Sequence, residues 1–266
     1  MTHNKRVNVN RPTIFVTGAA SGIGRACAEL FAERGWFVGL YDMNEVACAA
    51  LATALGRENA TSGKLDVRDP EAWQTTLATF WQHGGQRLDV LLNNAGIIAT
   101  APFVETSLEK HKAMVDINVA GTITGCHSAY PYLQKTQGAR LINMASATAI
   151  YGQPELATYS ATKFAVRGFT EALDLEWSKV GIRVSDIWPS FVSSPMAVDF
   201  GHIHSAKALG IRLTPNDVAK TVWKCATTQR PHKTHWMVGR QAALMALGTR
   251  LGPSALTRRM VGRLSR

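Results

Sequence analysis

The sequence predicts an α/β fold: a doubly wound, mostly parallel sheet of seven strands with helices on both faces. Three observations predict it. Short β-branched or apolar runs alternate with longer helical patterns along the chain. Most of the predicted strands are continuous apolar runs, as parallel strands covered on both faces require. A glycine cluster separates the first strand from the first helix, which suits a tight β-to-α turn.

Residues 13–17, TIFVT, form the first predicted strand. An alanine-rich helix follows over 23–34, and Gly35 stops it. Strand two covers 36–41 and ends at Asp42. A helix over 46–55 and a strand over 61–65 come next. Asp69 caps the following helix, with Pro70 in its first turn. Strand four covers 88–92. A long helix is predicted over 107–133, opened by a capping box of Thr106 and Glu109. Strand five covers 141–144, a second long helix 158–179, and strand six 182–187. Thr214, Pro215, Asn216 and Asp217 open a helix that reaches 227. Strand seven covers 236–238. Residues 191–212 lack periodicity and are expected to form a loop or short helices over the sheet edge. Right-handed crossovers would join these strands into one open sheet.

Composition narrows the function classes. Of 266 residues, 46% are apolar and 18% charged, which excludes a disordered or collagen-like chain. No run reaches the roughly 18 apolar residues of a membrane span, and no apolar stretch behind the basic amino terminus suggests a signal peptide. Cys27, Cys48, Cys126 and Cys225 form no CxxC pair, so neither a disulfide scaffold nor a structural zinc site is indicated. A reducing cytoplasm is the simplest compartment. The net charge of +10 is uneven: residues 1–11 and 240–266 hold nine of the 29 basic residues and no acid. The rest is nearly neutral, which argues against a nucleic-acid-binding body.

The stretch Thr17–Gly18–Ala19–Ala20–Ser21–Gly22–Ile23–Gly24 lies between the first strand and helix. Gly18 allows the sharp turn, Gly22 a close approach to a pyrophosphate, and Gly24 tight helix packing. Ser21 and Ile23 flank the helix start, whose free N–H groups suit phosphates. This makes the fold Rossmann-like and dinucleotide-binding. An ordinary tight turn is the plainer alternative. Asp42, at the end of strand two, can accept both hydroxyls of an adenosine ribose and repel a 2′-phosphate, favouring NAD over NADP. Capping of the next helix is its other reading. Asp66 and Val67, after strand three, can line an adenine or serve the loop. Asn93, Asn94, Ala95 and Gly96 follow strand four; small residues admit a cofactor, and an amide can tie adjacent strands.

Ser146 follows strand five, and Tyr159 and Lys163 lie four apart on the next helix, on one face. Such a set suits hydride chemistry on an alcohol or ketone. A phenol with an ordinary pKa of about 10 needs its anion stabilised before it can act as a base. A nearby ammonium and an oxidised nicotinamide would supply positive charge and lower it. Ser146 can hydrogen-bond the substrate oxygen. In isolation, a Tyr/Lys pair reads as a surface pair.

Together TGAASGIG at 17–24, NNAG at 93–96, Asn118, Ser146 and YSATK at 159–163 resemble the short-chain dehydrogenase/reductase family of the typical single-domain kind. The resemblance covers about residues 12–239. It implies Tyr159 as catalytic acid/base, Lys163 as the residue that lowers its pKa and binds the nicotinamide ribose, and Ser146 as the substrate-orienting group. Asn118 resembles the family asparagine that holds a water in a proton relay to Lys163. Pro189, Val192 and Ser194 match the nicotinamide-binding segment. Ser190 stands where the family commonly has glycine, and Ser194 where threonine is frequent. The resemblance also implies a homodimer or homotetramer, formed through the two long helices. A non-catalytic dinucleotide sensor or scaffold of the same fold is the alternative function.

The expected substrate wall comprises Ala147, Ile150, Tyr151, Gln153, Leu156, Phe191, Met196 and residues 198–209. It is mostly apolar, so a hydrophobic alcohol or ketone is expected. His202 and His204 have no clear third ligand and read as loop histidines, so no metal is expected. The organisation is then a basic extension over 1–11, one catalytic domain over 12–239, and a basic amphipathic extension over 240–266. That last segment reads as two short helices. They could cover the site or a neighbouring subunit, lie peripherally on an anionic membrane, or form a loose tail.

Overall fold

The computed structural model describes residues 11–194, 210–211, 213–230, 232–251 and 254–264. Met196, residues 198–209, His202, His204 and residues 1–10 of the amino-terminal extension lie outside the described residues. The strands are β1 (Thr13–Thr17), β2 (Phe37–Asp42), β3 (Ala60–Lys64), β4 (Val90–Asn93), β5 (Arg140–Met144), β6 (Arg183–Pro189) and β7 (His235–Val238). They form one sheet in the order β3-β2-β1-β4-β5-β6-β7. Every pairing is parallel, so the sheet is wholly rather than mostly parallel.

The helices are α1 (Gly22–Glu33), α2 (Glu45–Leu55), α3 (Pro70–His83), α4 (Leu108–Val115), α5 (Gly121–Leu133), α6 (Ala157–Trp177), α7 (Pro215–Thr227), α8 (Arg240–Leu251) and α9 (Ser254–Leu264). They cover both faces, because successive strand residues point to opposite sides. Ile14 and Val16 of β1 pack with α1, α2 and α7 through Phe31, Leu51 and Val222. Phe15, between them, packs with α3, α5 and α6 through Trp73, Leu133 and Leu173. Phe15 stacks on Tyr41 at 4.2 Å between ring centroids and meets Phe80 edge-on at 5.4 Å.

Helix ends follow local chemistry. Asp69 accepts from the N–H groups of Glu71 and Ala72, with Pro70 beginning α3. Thr214 and Asp217 make a reciprocal capping box on α7. The cap of α4 is Ser107, which accepts from the Lys110 N–H, and not Thr106. The long helix predicted over 107–133 is also not uniform. Residues Asp116–Ala120 wind as a π-helix between α4 and α5, and Asn118 lies inside that turn.

The strand order reverses between β1 and β4, where the chain crosses from one half of the sheet to the other. A crevice opens beyond the carboxyl ends of strands at such a point. Two features hold it. Thr17 Oγ1 accepts from the N–H groups of Asn94 and Ala95, both at 3.0 Å. Asn94 Nδ2 donates to the carbonyls of Thr17 at 2.9 Å and Gly18 at 3.2 Å. After β7, Ala242 and Ala246 of α8 and Thr257 and Val261 of α9 are buried. Among the described residues no helix is long and apolar enough to cross a membrane.

Replacing Phe15 by alanine is expected to remove about 3–5 kcal/mol of stability, seen in urea unfolding as a lower midpoint. A loss below about 1 kcal/mol would show that the aromatic cluster is not tightly packed.

Candidate functional site

The crevice wall carries Gly18, Ser21, Gly22 and Ile23 from the turn into α1, and Asp42 from the end of β2. Asn94, Ala95 and Gly96 follow β4; Met144 and Ala145 follow along β5; Tyr159 and Lys163 come from α6. Pro189 and Ser194 close the far side. The sequence-predicted residues thus converge, with four exceptions on the cofactor side. Gly24 lies behind the wall: a Cβ there would overlap the Gly18 carbonyl oxygen and the Asn94 amide. Asp66 is bound instead by Arg68, at 2.6 Å between Oδ2 and Nη2. Val67 turns its side chain against Gly121, and its carbonyl accepts from Trp73 Nε1 at 2.9 Å. Val192 pairs with Leu213 in an isolated parallel bridge and is buried.

Gly18 has φ +66°, and a Cβ on it would stand 2.9 Å from Asn94 Nδ2 and 3.0 Å from Ala95 Cα. The cradle beside the α1 start therefore excludes side chains and leaves backbone exposed to a ligand, as a pyrophosphate requires. Asp42 Oδ2 accepts from Ala20 N–H at 3.2 Å and Oδ1 from Asn44 N–H at 2.9 Å. Asn44, not Asp42, caps α2. The carboxylate is thereby fixed at the crevice edge, where its residue type suits a ribose diol. Ser190 is not among the residues with positive φ, so the backbone there imposes no need for the family's glycine.

At the inner end, Tyr159 is half-buried, lines the crevice and has Ser146 as a neighbour. Ser146 Oγ accepts from the Thr148 N–H at 3.2 Å. Lys163 is buried; its Nζ donates to the Met144 carbonyl at 2.7 Å and lies 5.5 Å from the Tyr159 ring centroid. A Cβ at Gly96 would sit 3.1 Å from Asn118 Oδ1 and 3.8 Å from Lys163 Nζ, so the two side chains face one another across that glycine. Asn118 is itself held: Oδ1 accepts from Ile97 N–H at 2.8 Å, and Nδ2 donates to Ile97 O at 2.9 Å and Thr162 Oγ1 at 3.2 Å.

The expected lowering of the tyrosine pKa draws on an oxidised nicotinamide as well as on Lys163, and the side chains by themselves set a different balance. Burial pushes the Tyr159 phenol up to about 12, against a smaller downward pull from the neighbouring Ser146 hydroxyl. Burial pulls the Lys163 ammonium down to about 8. Burial of the phenol therefore outweighs what the neighbouring side chains contribute toward a phenolate.

Above Tyr159, Leu156 packs with Ile98 and Phe191. Leu156 and Phe191 were expected on the substrate side; Ile98 was not. Ile150 instead packs beside Ala145, Val166 and Trp188. Ile98 joins the cluster from a loop far away in sequence, and its nearness to the NNAG stretch was the available signal.

Lys163 has no ion-pair partner among the described residues. Its ammonium is harder to hold in the folded chain than in the unfolded one. Between pH 8 and 10.5 the unfolded chain binds more protons at this position, so stability rises with pH across that window. Lys163→Met should be more stable than the parent at pH 7, by up to about 3 kcal/mol, and the gain should shrink from pH 8 upward. Chemical denaturation at pH 7 and pH 10 measures both; a variant less stable at pH 7 would contradict this electrostatic account.

Comparison with known proteins shows the family and the fold. The family model for short chain dehydrogenase matches residues 12–202. D-threitol dehydrogenase from Mycolicibacterium smegmatis is 35% identical over 179 residues, covering 66% of this chain and 68% of its own. Cyclopentanol dehydrogenase from Comamonas sp. is 32% identical, covering 71% and 76%. The crystal structure of 3-ketoacyl-(acyl-carrier-protein) reductase from Brucella melitensis complexed with NADH superposes with a TM-score of 0.79 at 25% identity, over 86% of this chain and 97% of that one. With a sheet that reverses at β1 and β4, a glycine turn at one end of the crevice and Tyr159, Lys163 and Ser146 at the other, the chain belongs to the short-chain dehydrogenase family.

Proposed function

We propose that the protein is an NAD(H)-dependent oxidoreductase that interconverts a secondary alcohol and a ketone. The observation that carries this reading is the joining of two half-sites in one crevice. A backbone cradle lies at the α1 start, and Tyr159, with Ser146 as a neighbour and a buried Lys163 beside it, lies at the inner end. The solved relative bound to NADH supports the coenzyme, and Asp42 supports NAD over NADP by repelling a 2′-phosphate. The two curated dehydrogenases support the alcohol and ketone class.

When bound, the nicotinamide supplies the hydride acceptor or donor and, when oxidised, a positive charge. In oxidation Tyr159 takes the substrate hydroxyl proton; in reduction it returns a proton to the alkoxide. Ser146 holds the same oxygen and stabilises its developing charge. Lys163 provides the cation that favours the phenolate, and its bond to Met144 fixes where that cation sits. Asn118, facing Lys163 across Gly96, sets the far end of the proton path. Leu156, Ile98 and Phe191 support a hydrophobic substrate and keep water from the phenol.

A panel of alcohols and ketones with NAD(H) and NADP(H) tests the reading. Turnover should be faster with NAD(H), and Tyr159→Phe should lower kcat by about 10²–10⁴-fold with coenzyme binding retained. Full turnover in Tyr159→Phe would remove it from the acid/base role. Tight coenzyme binding without turnover of any compound would favour the sensor or scaffold alternative.

The same reading makes the protein a cytoplasmic homodimer or homotetramer. Four buried free thiols suit a reducing compartment. Val115, Ile123 and Phe164, exposed on the long helices, suit a second copy. Peripheral membrane contact is favoured by one observation: Arg259 and Arg263 are exposed on α9, away from buried Val261. Vesicles rich in anionic lipid should then retain the full chain and release it when residues 240–266 are removed. Equal retention of both would dismiss the contact.

A further inference from the structure

The opposite rim of the sheet, at the amino ends of the strands, carries a second cavity of about 360 Å³. Its distinctive walls are Arg140 and Arg183, the first residues of β5 and β6. The two are direct partners in the parallel register, so their side chains leave the same face of the sheet. Like charges placed side by side on a sheet repel. Arg140 is 9% exposed, and burial together with the Arg183 charge pulls its pKa below the ordinary arginine value.

Among the described residues neither guanidinium has a carboxylate partner. What they have are carbonyls at the end of α7. Arg140 Nη1 donates to Cys225 O at 2.6 Å and Nη2 to Thr228 O at 2.7 Å; Arg183 Nη1 reaches Thr228 O at 3.4 Å. These carbonyls carry the partial negative charge of a helix end, well short of two full charges. The acid on the wall, Asp89, is already engaged. Arg87 binds it at 2.6 Å, and Oδ2 accepts from the Thr13 N–H at 2.9 Å. Gln137 and Gln229 add amides to the lining.

We propose that this cavity binds a small oxyanion of the phosphate class, held by the paired guanidinium groups of Arg140 and Arg183. Guanidinium forks match such oxygens in geometry as well as charge. The ligand supplies the negative charge that the fold leaves out. The site lies across the sheet from the coenzyme crevice and does not depend on the catalytic reading.

Thermal unfolding with inorganic phosphate, against chloride of equal ionic strength and with saturating NADH in both, tests it. NADH keeps phosphate out of the glycine cradle. Phosphate at a hundredfold its dissociation constant should raise the wild-type Tm by roughly 5–10 °C. Arg183→Gln should match or exceed the wild-type Tm in chloride, because the repulsion is gone, and should lose most of the phosphate shift. Arg183→Lys, which keeps the charge and loses the fork, should retain only part of it and serves if the glutamine variant does not fold. Phosphate also stabilises proteins generally by exclusion from their surface; an equal rise in wild type and variant would therefore overturn the proposal. Absence of a wild-type shift would overturn it as well.

Discussion

The join between the carboxyl ends of β1 and β4 is the constraint on which the site depends. A parallel sheet that reverses its winding leaves two neighbouring strand ends with their connections going opposite ways. Thr17 and Asn94 close that gap with four hydrogen bonds between them and the adjoining backbone. Their bonds fix the Gly18 turn against Asn94 and Ala95 so closely that no side chain fits between. The α1 start and the β4 end are thus one rigid surface, and the ligand cradle is a property of the strand order rather than of a loop.

A second line of bonds carries rigidity across to the reacting end. Asn93 Nδ2 donates to Asn143 Oδ1 at 3.0 Å, and Asn143 Nδ2 donates to Thr170 Oγ1 at 3.0 Å, linking β4, β5 and α6. Lys163 reaches back from α6 to the Met144 carbonyl. The helix that bears Tyr159 is therefore registered against the sheet by buried polar contacts, which tolerate little misplacement. Buried polar groups of this kind cost stability when left unmatched, and here nearly all the matches run between elements that must be aligned.

Much of this was legible in the sequence because the relevant signals are local. Glycines at a strand-to-helix turn, Asp69 before Pro70, and a tyrosine and lysine four apart each announce their geometry within a few residues. Strand identities were legible from apolar runs, although their ends moved by a residue or two. What was missed depends on contacts that spacing does not encode. Thr106 and Ser107 are both competent caps, and the backbone angle at Ser107 decides between them. Ile98 meets Leu156 only after folding. The balance that burial sets at the Tyr159 phenol depends on its tertiary surroundings, which no residue pattern reports. The Asp66–Arg68 ion pair, by contrast, is local, two positions apart, and could be read from the spacing.

The π turn at Asp116–Ala120 has a consequence for the helix as an object. Such a turn amounts to one surplus residue in an otherwise regular spiral. A chain shortened by one residue there would run as a single unbroken α-helix, with a more regular backbone ladder. Its flanks would keep close to their present faces, because the wide turn absorbs the extra residue, but the bulge that brings Asn118 to Ile97 and Thr162 would be gone. The irregularity is a local bay in a continuous rod: it reaches a loop and a neighbouring helix with one amide while the rod on either side stays in place.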